Sequence, residues 1–152
     1  MTGVVVSIHI AAEAEGPMKA VESVRAIPGK GLDGDRYSRG AGSFSKKPKP
    51  DRELTLIEHE ALEAVARDVA VTIGPGDTRR NIVTRHVALN HLVGREFSVG
   101  DVRLRGLMLC EPCKHLAKLT TTELSNALVH RGGLRCQILT DGVVRVGDAI
   151  SA

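Results

Sequence analysis

Aromatic side chains are nearly missing from this chain: of its 152 residues only Tyr37, Phe44 and Phe97 carry an aromatic ring, and there is no tryptophan. Modules that stack nucleic-acid bases on several rings have little to work with here, so nucleic acid is not the expected partner. Long apolar runs are absent as well. Stretches such as Val4-Val5-Val6 fall far below the roughly 18 residues of a membrane span, and Met1 opens no basic-then-apolar leader. The chain is therefore expected in the cytoplasm, away from membranes. The three cysteines, an odd count, argue against a disulfide framework and leave metal ligation, catalysis or simple burial. A net charge of +3 tolerates an anionic ligand without implying a polyanion.

What is present is typical of a globular protein: 42% hydrophobic and 26% charged residues, far from disordered or collagenous composition. The length predicts one domain over residues 1–152, able to bury a core without disulfide staples. Residues 4–10 form a β-branched run, and a second strand-like stretch passes through Val21, Val24 and Ile27 to Pro28-Gly29. From Gly29 to Arg52 come five glycines and then Lys46, Lys47, Pro48, Lys49 and Pro50, which read as one long loop unable to supply a core.

Leu54, Leu56 and Ile57 then predict a strand. Leu62, Val65, Ala66 and Val69 recur at helical spacing. Gly74-Pro75-Gly76-Asp77 breaks the chain before a short strand at Ile82-Val83-Thr84, and Leu89 and Leu92 give one more helical turn before Gly94. Alternating Val102, Leu104, Gly106 and Met108 lead into Cys110-Glu111-Pro112-Cys113. Thr120 and Glu123 fit a capping box for a helix with Leu124, Ala127 and Leu128, ended by Gly132-Gly133. Leu134–Leu139 and Val143–Ile150 read as a hairpin turning at Asp141-Gly142. Seven or eight strands, two or three helices and no regular βαβ alternation predict a mainly β, barrel-like or sandwich fold.

Cys110 and Cys113 stand at Cys-x-x-Cys spacing, close enough for one metal or a redox pair. A structural zinc would need Cys136 and one of His86, His91, His115 or His130, yet no second pair at familiar spacing supplies them. Cys136 reads as a small buried hydrophobe. Arg79-Arg80-Asn81, between a glycine-rich turn and a strand, has the guanidinium forks and amide that grip a phosphate or heterocycle edge, or is an ordinary basic turn. Gly29 to Arg36 has an anion-cradle composition without the Gly-Lys-Ser/Thr of a P-loop. His130-Arg131-Gly132-Gly133 places a cation where it would also complement a helix C-terminus.

In order, these pieces resemble the MOSC domain, the module named for the C-terminal part of molybdenum cofactor sulfurases. The resemblance rests on Gly31-Leu32-Asp33-Gly34-Asp35-Arg36, Leu54-Thr55-Leu56-Ile57, Arg79-Arg80-Asn81-Ile82-Val83, Leu92 to Phe97 with Val99-Gly100-Asp101, Glu111-Pro112-Cys113-Lys114-His115-Leu116, Arg131-Gly132-Gly133-Leu134 and Val146-Gly147-Asp148. It implies a β-barrel-like fold and a functional thiol at Cys113 that carries sulfur or ligates the molybdenum of the pterin cofactor. A soft thiolate suits a high-valent metal with oxo and sulfur partners. Arg79 and Asn81 match the Arg-x-Asn that contacts the cofactor in amidoxime-reducing relatives. The desulfurase domain of the sulfurases and the additional N-terminal domain of the amidoxime reducers have no counterpart here.

The resemblance thus points to a molybdopterin-binding oxidoreductase. Cys113 would ligate molybdenum, Cys110 would lie beside it, and Arg36, Arg79, Arg80, Asn81 and Arg131 would hold the anionic pterin phosphate under the Lys46–Lys49 loop. The substrate would be a small N-hydroxylated or similar molecule. Without a Gly-x-Gly-x-x-Gly fingerprint or an iron-sulfur cysteine set, the chain would depend on an external electron donor. The alternative is a non-enzymatic carrier that takes persulfide sulfur from a donor protein, or holds the cofactor, and passes it on; a third reading is a structural zinc domain. The scarce aromatics and missing accessory domain point to a pocket that is open or completed by a second copy in a homodimer.

Overall fold

Val4, Val5, Val6, Ile8 and Ile10 favour an extended chain, and the first strand, β1 (Thr2–Ile10), is nine residues long. The computed structural model of the protein describes residues 2–38, 50–70, 73–112 and 122–152. Cys113, His115, Thr120, Phe44 and the Lys46–Lys49 segment lie outside the described residues. The remaining strands are β2 (Lys19–Val21), β3 (Ser23–Ile27), β4 (Gly31–Leu32), β5 (Leu54–Glu58), β6 (Ile82–Arg85), β7 (Glu96–Val99), β8 (Val102–Leu109), β9 (Leu134–Ile138), β10 (Gly142–Arg145) and β11 (Ala149–Ser151). Two α-helices, α1 (His59–Val69) and α2 (Thr122–Ala127), stand among the described residues, with a 3-10 turn at Leu89–Leu92.

Seven strands close into a barrel in the order β1-β11-β7-β8-β9-β5-β6, and β6 returns to β1. The fold is thus mainly β and barrel-like with two helices, as the sequence predicts. Alternation builds the interior: Leu54 and Leu56, Val102 and Leu104, Leu134, Cys136 and Ile138 point inward and are buried with Phe97, the one aromatic ring of the core among the described residues. Each such Leu or Ile removed from water contributes about 2 kcal/mol. The one parallel pair of named strands among the described residues, β5 with β6, is crossed over by α1. Both faces of that pair are therefore covered. Ile57 and Val83 turn away from the barrel and pack on Leu62 and Val65 of α1 and on Leu124 and Leu128 at α2.

Four readings of the chain are corrected. Leu134–Ile138 and Gly142–Arg145 do not form a hairpin. Both edges of β9 are taken, by β5 and β8, so β10 crosses instead to β3 in a separate small sheet. The turn chemistry of Asp141-Gly142 serves that crossing, with the Asp141 carboxylate accepting from Arg25 Nε at 2.9 Å. The glycine-rich stretch after Gly29 does supply core: Leu32 of β4 is fully buried in the barrel cluster. The stretch through Val21 and Ile27 is two strands, β2 on β1 and β3 on β10, so it links the barrel to the small sheet. Finally, the inward alternation of β8 ends at Gly106. A bulge between Gly106 and Met108 turns Met108 outward, where it is 47% exposed. Only glycine fits at 106, because a methyl group there would collide with the Leu92 carbonyl oxygen of the 3-10 turn.

Candidate functional site

The turn Gly74-Pro75-Gly76-Asp77 is closed by its own aspartate. The Asp77 carboxylate accepts from Gly74 N–H at 2.7 Å, and Asp77 N–H donates to the Gly74 carbonyl. It delivers three consecutive polar residues, Arg79, Arg80 and Asn81, to the start of β6 in three different environments.

Asn81 is buried, and both the oxygen and the nitrogen of its side-chain amide are hydrogen-bonded. Its carbonyl oxygen accepts from Thr55 N–H at 3.1 Å and from the Thr55 hydroxyl at 3.3 Å, while its Nδ2 donates to the His9 carbonyl at 3.1 Å. The residue stitches β1 to β5. Arg80 is also buried, and its guanidinium donates to main-chain carbonyls: Nε to Gly132 at 2.8 Å, Nη2 to Cys110 at 2.9 Å and Nη1 to Thr78 at 3.4 Å. It ties the segment before β6 to the segments that leave β8 and enter β9, on the other side of β5 in the sheet order. Both residues act as fasteners.

Arg79 differs. It sits at φ +63°, a left-handed backbone that a non-glycine residue adopts only when its surroundings hold it there. Its Nη1 donates to the Gly16 carbonyl at 2.8 Å, whereas Nη2 is buried with no hydrogen-bond partner among the described residues. Burial, and then the positive charge of Arg36, hold its pKa below the usual arginine value; Tyr37, Asp35 and Glu15 oppose that shift. The group stays protonated. Arg79 lines a cleft of about 440 Å³ with His9, Met18, Ala20 and the Gly74–Asp77 turn. His9 is buried, its Nε2 lies 2.9 Å from Ser7 Oγ, and burial lowers its pKa, so it is neutral at pH 7.

Arg36 touches Met18 of the cleft wall, its Nη1 lying 3.8 Å from the Met18 sulfur. It also contacts the fully buried Asp35 carboxylate at 3.3 Å and lies 4.9 Å over the Tyr37 ring. Asp35 Oδ1 accepts from Ala11 N–H at 2.9 Å, and Oδ2 has no partner among the described residues. Arg131 is placed elsewhere: Nε donates to the Ala127 carbonyl at 2.7 Å, and Nη2 pairs with Asp68 of α1 at 2.8 Å. That is the helix-terminus arrangement.

Cys110 is 2% exposed and held on both sides, its N–H donating to the Gly133 carbonyl at 2.7 Å and its own carbonyl accepting from Arg80. Beyond it, the Glu111 carboxylate accepts from His130 N–H at 2.8 Å and lies 3.1 Å from His130 Nδ1, while Asn90 Nδ2 donates to the His130 carbonyl at 2.9 Å. The chain leading to Cys113 is thus anchored from three directions. Cys136 is fully buried inside the barrel, where burial and the nearby Cys110 push its thiol well above the usual value. Among the described residues no three His, Cys, Asp or Glu side chains converge as a metal site.

The structure therefore places Arg79 on the cleft with Arg36 close enough to repel it, brings Arg80 to Cys110 and Gly132, and pairs Arg131 with Asp68 of α1. The sequence reading did not single out His9, Met18 or the Glu111–His130 clamp, because nothing in a β-branched run marks His9 as lining a cleft. A profile for the MOSC domain matches residues 39–151. No curated protein sequence matches the chain. Among solved structures, the YuaD protein from Bacillus subtilis superposes with a TM-score of 0.83 at 18% identity, over 99% of this chain and 94% of that one. YiiM from Geobacillus stearothermophilus gives 0.72 at 15% identity, over 98% and 74%. YiiM from Escherichia coli gives 0.69 at 16%, over 97% and 68%. These likenesses are of fold.

Proposed function

This chain belongs to the MOSC domain family, which is associated with the molybdenum cofactor, and from that premise we propose that it binds molybdopterin and acts as an oxidoreductase on small N-hydroxylated or similar compounds. The observation that carries the reading is the buried, unpartnered Nη2 of Arg79 beside the cleft. A buried donor without an acceptor costs on the order of 1–3 kcal/mol, and a phosphate oxygen satisfies it. Charge supports the same assignment, since an anion relieves the repulsion between Arg79 and Arg36. The residues present thus fit a phosphate-bearing ligand.

The roles divide by occupancy. Arg79 and Arg36 bind the anionic part of the ligand. Arg80 and Asn81, whose side chains are engaged with the main chain and Thr55, position Arg79 and Cys110. Cys113, which follows Pro112 as in the family pattern, is assigned the thiolate that ligates molybdenum. When bound, the cofactor would supply two-electron redox chemistry at its metal. The net conversion balances: an N-hydroxyl compound takes up two electrons and two protons, its N–O bond breaks, and the corresponding N–H compound and water are released. The electrons come from an external carrier.

Turnover tests the reading. Molybdenum-loaded protein, supplied anaerobically with a reduced viologen dye, should convert a panel of hydroxylamines and amidoximes and lose that activity with Cys113→Ser. A protein that retains molybdenum yet reduces none of them is a carrier of cofactor or sulfur, and the oxidoreductase reading fails.

A further inference from the structure

The outer wall of the barrel at β7, β8 and β9 carries a concentration of arginine that nothing in the fold requires. Strand alternation points Arg103 and Arg105 of β8 and Arg135 of β9 away from the buried Val102, Leu104, Leu134 and Cys136. Arg95 is exposed immediately before β7 and joins the group through its carbonyl, which accepts from Gly106 N–H at 2.9 Å. The one carboxylate within these rows, Glu96, braces Arg105 at 3.0 Å and Arg103 at 3.6 Å. Arg95 and Arg135 have no acidic partner among the described residues. Met108, turned outward by the bulge, sits opposite Arg135 as an exposed apolar spot in the patch.

We infer that this wall is a docking surface for an acidic protein, namely the one-electron carrier that supplies reductant to the site. The identification of the partner as a reductant rests on the oxidoreductase reading; the docking itself rests on the patch. Arginine and exposed methionine are enriched in protein interfaces. Base stacking would need aromatic rings, and none faces outward among the described residues of this wall. β8 runs through the patch directly into Cys110, so a carrier seated here lies on the strand that leads to the candidate site. Arginines distributed over a face steer an acidic partner and make its association sensitive to salt.

Binding to an acidic flavodoxin and to an acidic plant-type ferredoxin, read by biolayer interferometry at 25 and 250 mM salt, tests this with apo and cofactor-loaded protein alike. Wild type should bind at least one carrier, more weakly at high salt and more weakly after the carrier's carboxylates are amidated. Arg95→Glu/Arg135→Glu should lower affinity tenfold or more with an unchanged melting temperature and unchanged molybdenum content. Equal binding by the double variant, or no binding of either carrier by wild type at 25 mM salt, overturns the inference. So does a duplex DNA oligomer that binds more tightly than both carriers and is released by the same substitutions. Because apo protein is read too, failure of docking and failure of the cofactor reading are separate results.

Discussion

Arg79 and Arg80 are adjacent, carry the same side chain and do opposite work. Arg80 has all three kinds of guanidinium nitrogen engaged by main-chain carbonyls, whereas Arg79 keeps one buried nitrogen unpartnered at a cleft. Arg80→Ala should therefore destabilise the protein by about 2–4 kcal/mol, since truncation strands the buried carbonyls of Cys110 and Gly132. Arg80→Lys should recover only part of that, because an ammonium cannot reproduce the fork. Arg79→Ala should cost little stability and remove a ligand contact. Urea denaturation of the three variants separates them. The sequence shows the Arg-Arg-Asn segment and its setting between a turn and a strand. It does not show which arginine is a fastener, because the carbonyls that decide it lie 30 and 52 residues further along the chain.

Elements were legible where a face repeats. The β-branched β1, the inward alternation of β5 and β8, and the helical period of α1 could all be read from spacing. The small sheet could not: β4 is two residues long, and β10 takes its partner from β3, more than a hundred residues earlier. A turn signal such as Asp141-Gly142 reports local backbone preference and says nothing about which strand edge is free. The small sheet is held to the barrel partly by Glu53, a buried carboxylate that accepts from Gly29 N–H between β3 and β4 at 2.9 Å and from Ile138 N–H at the end of β9 at 3.4 Å.

Burial raises the Glu53 pKa more than those two bonds lower it. The folded state thus binds this proton more tightly than the unfolded chain does, so the Glu53 contribution is complete below the unfolded value near 4.5 and is lost as pH rises through the folded value. Glu53→Gln removes the titration and keeps an acceptor oxygen. The stability of wild type relative to this variant should fall as pH is raised from 4 toward neutrality, as read from urea midpoints, and a constant or rising difference would contradict the assignment.

At the scale of the molecule, a closed barrel leaves no free sheet edge in the wall itself, and chemistry is confined to the segments that enter and leave the strands. The Arg79 cleft and the Cys110 clamp are built that way, whereas the arginine wall, a docking face rather than a site of chemistry, lies on the outward side of β8 and β9; the family profile places the chain among MOSC domains. The central claim is that Arg79 and the segment reaching Cys113 hold the molybdenum cofactor. It is tested most directly by molybdenum and pterin content per protein in material from a cofactor-competent host, comparing wild type with Cys113→Ser, Arg79→Ala and Arg131→Ala. Wild type and Arg131→Ala should carry near-stoichiometric metal and pterin, Cys113→Ser should lose the metal, and Arg79→Ala should lose both at least several-fold. Wild type without molybdenum, or carrying zinc in its place, would contradict that claim.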